Sequence, residues 1–140
     1  MREMERQAIE KRGIAEEMLM ENAAHAAVSL LQNTFCIRDR NFVIFCGIGN
    51  NGGDGLAVAR LIKSAGRRAK VFLTASPKKY TGAAKLNYDI LCNLDADVQL
   101  LSRAQEARVD LLAADVVVDA IFGTGPVSYT HLTLPTIYSV

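Results

Sequence analysis

The sequence has no tryptophan, two histidines and three cysteines among 140 residues, and aromatic side chains make up only 6%. Cys36, Cys46 and Cys92 lie far apart and form no C-x-x-C pair, which disfavours a disulfide framework or a zinc site. We interpret them as structural thiols in a reducing compartment. Sixteen basic residues against 15 acidic ones give a formal charge of +1, which argues against nucleic acid as a partner.

Long apolar runs are also lacking. The charged N-terminus, MREMERQAIEKRG, has no signal-peptide core, and no stretch is long enough to span a bilayer. We therefore expect a cytoplasmic protein with no membrane partner. Half of the residues are hydrophobic, which suffices for one buried core in a chain of this length.

Hydrophobic periodicity alternates between helix and strand along the chain. A helical repeat over residues 14–33 includes His25, which we interpret as structural. Short apolar runs predict four strands, at residues 41–47, 70–74, 98–101 and 114–122. Helical patterns between successive strands imply parallel pairing through right-handed crossovers. The sequence therefore predicts a Rossmann-like, three-layer α/β/α fold with a mostly parallel sheet.

Short-range signals predict where three of the helices begin. Asp54 is a candidate N-cap of the helix after the first strand, and Thr81 of the next. Ser102 and Gln105 fit a capping box before a helix that ends near Ala113.

Glycines follow the first predicted strand in the run GIGNNGGDG, residues 47–55. Its G-x-G-x-x-G spacing allows backbone N–H groups to approach a phosphate at a helix N-terminus, although the pattern alone is weak. A redox Rossmann domain also needs an acid near the end of the second strand, and residues 73–76 are Leu-Thr-Ala-Ser. A nicotinamide-dependent oxidoreductase is therefore disfavoured but remains an alternative.

Polar side chains in this turn indicate a site that binds oxygen atoms. The Asp54 carboxylate would repel phosphate unless it caps the helix, meets hydroxyl groups or is balanced by a cation. Asn50 and Asn51 add two amides beside it. The alternative is that all three side chains only cap turns. For the run Asn-Asn-Gly-Gly-Asp taken together, residues 50–54, we favour a functional role over turn capping alone.

Asp119 interrupts the last predicted strand, between VVV and AIF. We expect its carboxylate to be buried among apolar side chains, and therefore hydrogen-bonded, paired with a cation or shifted in pKa. The alternative is a strand-end aspartate bonded to loop N–H groups. Gly123-Thr124-Gly125 follows, and in open α/β sheets both glycine segments would face one crevice.

The end of the chain departs from this pattern. Residues 127–140 contain no Asp, Glu, Lys or Arg and have no clear periodicity. We expect a partial domain over 1–125, with a C-terminally incomplete sheet, and a non-native tail over 126–140.

Three segments together resemble the NAD(P)H-hydrate epimerase family, of the YjeF N-terminal domain type. They are MREM with Gly13-Ile14 and LMENA (19–23), GNNGGDG (49–55), and VDAIFGTG (118–125). The resemblance covers residues 1–125. It implies an isomerase that interconverts the R and S epimers of hydrated NADH and NADPH. It also implies a fused or separate ADP/ATP-dependent dehydratase that uses one epimer.

The same resemblance implies the site residues. Substrate contacts are expected from Asn50, Asn51, Gly52, Gly53, Asp54, Gly123, Thr124 and Gly125. Asn51 and Asp119 would supply oxygens to a potassium ion, and Asp119 would also be catalytic. A later Asp-x-Pro-Ser-Gly-like segment of the family is missing, so we expect this chain to be inactive alone. A non-catalytic nucleotide-binding scaffold is the main alternative, and a homodimer is left open.

Overall fold

The computed structural model describes residues 2–34 and 39–123. Its helices and strands alternate after two initial helices. In chain order they are α1 (Arg2–Arg12), α2 (Glu16–Thr34), β1 (Asn41–Cys46), α3 (Asn50–Ser64), β2 (Arg68–Leu73), α4 (Gly82–Asn93), β3 (Asp97–Leu100), α5 (Arg108–Ala113) and β4 (Val116–Ala120). Short 3-10 helices occur at Pro77–Lys79 and Ala104–Ala107.

The four strands form one sheet in the order β3-β2-β1-β4, and every pair is parallel. The predicted α/β fold and its parallel sheet are confirmed. The chain adds β2 and β3 on one side of β1 and then returns to add β4 on the other side. The order of strands therefore reverses between β1 and β4, and this topological switch point is where such sheets bind ligands.

Helices α2, α3 and α4 cover one face of the sheet. The fully buried side chains of this core include Phe42, Ile44, Leu56, Ile62 and Leu91. Among the described residues, the helical segment that covers the opposite face runs from Ala104 to Ala113. There Ala107 packs with Val43, Phe45 and Phe72. The direction of the crossovers explains this asymmetry, because right-handed connections that reverse direction place their helices on opposite faces.

A polar network ties the three helices of the larger layer together. Arg60 of α3 donates to Asn87 Oδ1 of α4 at 2.8 Å and to Glu21 of α2. Asn87 is buried and also donates to the Ala83 carbonyl at 3.0 Å. His25 lies on the outer side of this network, 3.1 Å from Glu21. His25 is exposed, and its structural role stays a prediction.

Two helix starts differ from the prediction. Asp54 as N-cap is wrong, because α3 already begins at Asn50 and Gly49 is its N-cap with φ +87°. The Gly53 N–H bonds to the Gly49 carbonyl at 2.9 Å, so the glycine turn itself is helical. The Ser102–Gln105 capping box is also wrong, since the Ser102 N–H bonds to Glu106 Oε2 at 3.1 Å.

Helix α1 was not predicted from the sequence. Apolar periodicity is weak there, but charged side chains pair at helical spacing, with Arg6 bonded to Glu3 at 2.9 Å. Such pairs stabilise a helical turn and were the available signal. Gly13, at φ +65°, ends the helix in a left-handed turn. No helix in the described ranges is long and apolar enough to cross a membrane.

Candidate functional site

A cleft of about 900 Å³ lies at the carboxyl ends of β1 and β4. Three parts of the chain line it: α1, the glycine turn with the start of α3, and the residues after β4. The lining residues are Glu5, Arg6, Ile9, Glu10, Ile48, Gly49, Asn50, Asn51, Asp54, Phe122 and Gly123. The cleft therefore occupies the switch point of the sheet.

Direct contacts join the glycine turn to the end of β4. The Gly47 N–H bonds to the Ala120 carbonyl at 2.9 Å, and Asn51 Nδ2 donates to the Phe122 carbonyl at 3.0 Å. A Cβ placed on Gly123 would lie 3.2 Å from Asn51 Cβ. The two segments singled out in the sequence thus meet at one wall of the cleft. Thr124 and Gly125 lie outside the described residues.

Gly52 and Gly53 lie behind this wall and are buried. A Cβ on Gly52 would lie 1.8 Å from the Gly47 carbonyl oxygen. A Cβ on Gly53 would lie 2.5 Å from Met20 Cε of α2. Neither residue is among those that line the cleft, and both let α3 pack closely on its neighbours. Their predicted substrate contacts stay predictions.

Asp54 projects into the cleft from α3 and is half-buried. Burial raises the pKa of its carboxyl group to about 6, and Glu5 of α1 contributes in the same direction. Both effects disfavour the ionised form. In the described part of the chain, the Asp54 carboxyl group accepts no hydrogen bond.

The predicted burial of Asp119 is wrong, because this side chain is exposed. The reason is its strand: β4 is at the edge of the described sheet, and Asp119 shares a face with Phe45 that is only partly covered. Its Oδ1 accepts a hydrogen bond from the Ile121 N–H at 2.9 Å. This is the strand-end arrangement considered as the alternative. Asp119 does not appear among the cleft-lining residues.

The side chains of Asn51 and Asp119 offer oxygen atoms suited to a hard cation. Because Asn51 uses its amide nitrogen for Phe122, its amide oxygen has no protein partner within the described ranges. Asp119 uses only Oδ1, so Oδ2 is likewise available there. Oxygens of this kind fit an alkali metal such as potassium, as in oxygen-ligand sites generally. No cluster of three His, Cys, Asp or Glu occurs in residues 2–34 and 39–123.

The described residues offer neither the ribose-binding acid of a redox Rossmann domain nor an activated cysteine at this site. No acidic side chain follows β2, where Thr74 instead bonds to the Cys46 carbonyl through its N–H at 3.0 Å. Burial raises the pKa of Cys46 to about 12, so this thiol is not a thiolate nucleophile. Cys92 is exposed, and Cys36 lies outside the described residues.

The fold and the position of the cleft define a Rossmann-like α/β domain with a switch-point site. Residues 16–133 match the family model described as the YjeF-related protein N-terminus, and the chain belongs to this family. The predicted family resemblance is confirmed. Helix α1 lies before the matched range, and the match continues beyond Gly125. The predicted non-native tail over 126–140 stays a prediction.

Curated relatives agree with this assignment. The chain is 44% identical over 124 residues to the bifunctional NAD(P)H-hydrate repair enzyme Nnr of Thermofilum pendens, covering 87% of this chain and 24% of that protein. It is 41% identical over 124 residues to the NAD(P)H-hydrate epimerase of Pirellula staleyi, covering 84% of this chain and 52% of that protein. The chain thus spans between about a quarter and about half of their length.

A solved structure shares the fold. The crystal structure of yeast ynu0 superposes with a TM-score of 0.77 at 25% sequence identity. The match covers 91% of this chain and 57% of the yeast chain.

Proposed function

We propose that this chain carries the substrate-binding and catalytic front part of an NAD(P)H-hydrate epimerase, an isomerase that interconverts the R and S forms of hydrated NADH and NADPH. The observation that carries this proposal is the contact between Asn51 and Phe122, which joins the glycine turn to the end of β4 at a switch-point cleft. Membership in the family, with relatives named as epimerases, supports it.

Epimerisation of a hydrated pyridine ring requires that its hydroxyl group leave and return. The hydrated carbon bears a hydroxyl group next to the ring nitrogen, and the hydroxyl can leave and return through an iminium-like species. A carboxylate stabilises the positive charge that develops as the hydroxyl leaves. We assign this role to Asp119, which lies two residues before Ile121 at the carboxyl edge of the sheet.

Potassium is the cofactor that we propose. Asn51 and Asp119 would hold it through the oxygens that lack protein partners in the described part of the chain. Bound there, it would supply a positive charge that fixes substrate oxygens. Asn50, Asn51, Gly52, Gly53, Asp54 and Gly123 to Gly125 remain the proposed substrate-binding residues.

We place the protein in the cytoplasm and propose a fused or separate ADP/ATP-dependent dehydratase as its functional partner. Its relatives include bifunctional repair enzymes, which supports a fused arrangement. A homodimer remains an open proposal.

The test is epimer conversion by the Asp119→Asn variant. Because we expect the 140-residue chain to be inactive alone, the assay uses the full-length product of its gene. Purified S-form hydrated NADPH is incubated with this protein in potassium buffer, and the R form is quantified by chromatography. We expect the substitution to lower the rate by about 100-fold or more, the usual contribution of a group that stabilises charge in the transition state. Replacing potassium by sodium should also slow the reaction.

Asp95→Asn is the matched control. Asp95 is exposed, lies before β3 at the opposite edge of the sheet and has φ +50°, a conformation that asparagine tolerates. Full activity in Asp119→Asn would refute the assignment of that residue. Binding of hydrated NADPH without conversion by the full-length protein would favour the scaffold alternative, which the exposed position of Asp119 also suits.

A further inference from the structure

The charged side chains around Asp54 come from two elements. In the described part of the cleft they are Glu5, Arg6 and Glu10 of α1 and Asp54 of α3. The one cation among them is already engaged, with Arg6 Nη2 2.9 Å from Glu3 and Nη1 3.8 Å from Glu10. Asp54 therefore faces a like charge on Glu5 with no ion-pair partner of its own among the described residues.

This environment prepares Asp54 to carry a proton. The side chain is half-buried in the wall of the cleft, accepts no hydrogen bond in the described ranges and opens towards the space that a ligand would fill. A carboxyl group that is neutral near the working pH acts as a hydrogen-bond donor and as a general acid. Burial and Glu5 hold the pKa of Asp54 near 6, within reach of neutral pH.

We propose that Asp54 donates the proton that the hydroxyl group takes as it leaves the hydrated ring, and that Glu5 of α1 is a positioning residue that prepares Asp54 for this step. The inference rests on the proposed epimerase function. It adds a second carboxyl group, distinct from Asp119, and gives α1 a role in the reaction.

The C–O bond of the hydrated carbon breaks, its electron pair stays with oxygen, and the Asp54 proton converts the departing group to water. The ring nitrogen supplies its lone pair to form the C=N bond of the iminium-like species. Water then adds to the opposite face of the ring and loses one proton to solvent. Asp54 regains a proton from solvent, so the protein is unchanged.

Helix α1 contributes to this inference through Glu5. It lies outside residues 16–133, the range that matches the family model, yet it forms one wall of the cleft. Glu5 affects Asp54 from that wall through charge. A substitution at Glu5 should therefore change the pH dependence of the reaction more than it changes the fold.

The experiment measures epimer conversion from pH 5 to 8 for the full-length product of the gene and for its Asp54→Asn, Glu5→Gln and Glu17→Gln variants. Asp54→Asn should lower kcat by about 100-fold or more. Glu5→Gln should move the descending limb of the pH profile to lower pH, because removing the like charge favours ionisation of Asp54. Glu17 is exposed on α2, away from the cleft, and Glu17→Gln should leave the profile unchanged.

A second measurement does not depend on activity. Carboxyl ¹³C chemical shifts of Asp54, followed by NMR across the same pH range, should titrate at lower pH in Glu5→Gln than in the unchanged chain. Normal activity of Asp54→Asn, while Asp119→Asn is inactive, would overturn this inference and leave the proposed function standing. Identical Asp54 titrations with and without Glu5 would overturn the role of α1. No conversion by the full-length protein without substitutions would overturn both proposals.

Discussion

Two adjacent glycines of α3 should respond very differently to the same substitution. Gly52→Ala and Gly53→Ala both replace a helical glycine, and each gains about 1 kcal/mol of helix propensity. Their surroundings differ. A Cβ on Gly52 would lie 1.8 Å from the backbone oxygen of Gly47, whereas on Gly53 it would first meet Met20 Cε, at 2.5 Å.

The backbone contact at Gly52 cannot be relieved by a side-chain rotation. A carbon and a carbonyl oxygen rest about 3.3 Å apart or more, so the two backbone segments must separate by roughly 1.5 Å. Gly47 is held in place by the bond from its N–H to the Ala120 carbonyl, at 2.9 Å. Overpacking costs about 1–3 kcal/mol, and a strained hydrogen bond about 1 kcal/mol more. After the propensity gain, we expect Gly52→Ala to lower the free energy of unfolding by about 2 kcal/mol.

Gly53→Ala is the matched comparison. Met20 has a flexible side chain that can move away. Ala84 Cβ, at 2.9 Å, is fixed to the backbone of α4. Because carbon atoms rest about 3.5–4.0 Å apart, α4 must shift there by roughly 0.6–1 Å. The propensity gain offsets much of this cost, so the net change should stay within about 1 kcal/mol. Urea unfolding followed by circular dichroism measures the free energy of unfolding of both variants. An unchanged m value, the slope of this free energy against urea concentration, shows that the substitution changed stability. A Gly52→Ala variant as stable as the unchanged chain, or a Gly53→Ala variant less stable than Gly52→Ala, would contradict this prediction.

Two further predictions concern polar groups in or near the core. The Tyr80 hydroxyl is buried and has no hydrogen-bond partner in the described part of the chain, so Tyr80→Phe should leave stability unchanged or raise it by about 0.5–1 kcal/mol; a loss above about 1 kcal/mol in urea unfolding would contradict this. The pKa of Asp54 is raised from 3.8 to about 6 on folding, so the stability present below pH 4 is lost as pH rises through 6. Because the side chain is half exposed, solvent screening reduces the effect to about 1 kcal/mol, and Asp54→Asn should be more stable than the unchanged chain at pH 8 but not at pH 4. Parallel stability curves for the two proteins from pH 4 to 8 would refute the second prediction.

The sequence predicted the order of the elements because hydrophobic periodicity is a local property. The strand that contains Phe42 to Cys46 is an apolar run, and α2 has apolar residues at helical spacing, so each can be assigned without knowledge of its neighbours. Pairing of the glycine turn with β4 also followed from the sequence, since parallel strands place their carboxyl ends at one edge of the sheet.

Burial of individual side chains could not be predicted in the same way. Asp119 lies in an apolar run that is typical of a central strand, but the structure places its strand at the edge of the described sheet. The start of α3 was missed because glycines are poor helix formers in isolation. There, close packing against Gly47 and Met20 outweighs local propensity. Helix α1 was missed because its pattern is one of charge pairs rather than of apolar spacing.

The alternation of side chains along β4 explains why Asp54 lines the cleft whereas Asp119 does not. Successive side chains of a strand point to opposite faces, and Ala120 packs towards α3, where a Cβ on Gly55 would lie 2.6 Å from its methyl group. Asp119 must therefore face away from α3, beside Phe45. It can reach a ligand in the cleft only around the carboxyl edge of the sheet, whereas Asp54 enters the cleft directly from α3. The proposed reaction needs proton donation at one side of a ring and charge stabilisation at another, and the alternation of β4 keeps the two proposed acids apart.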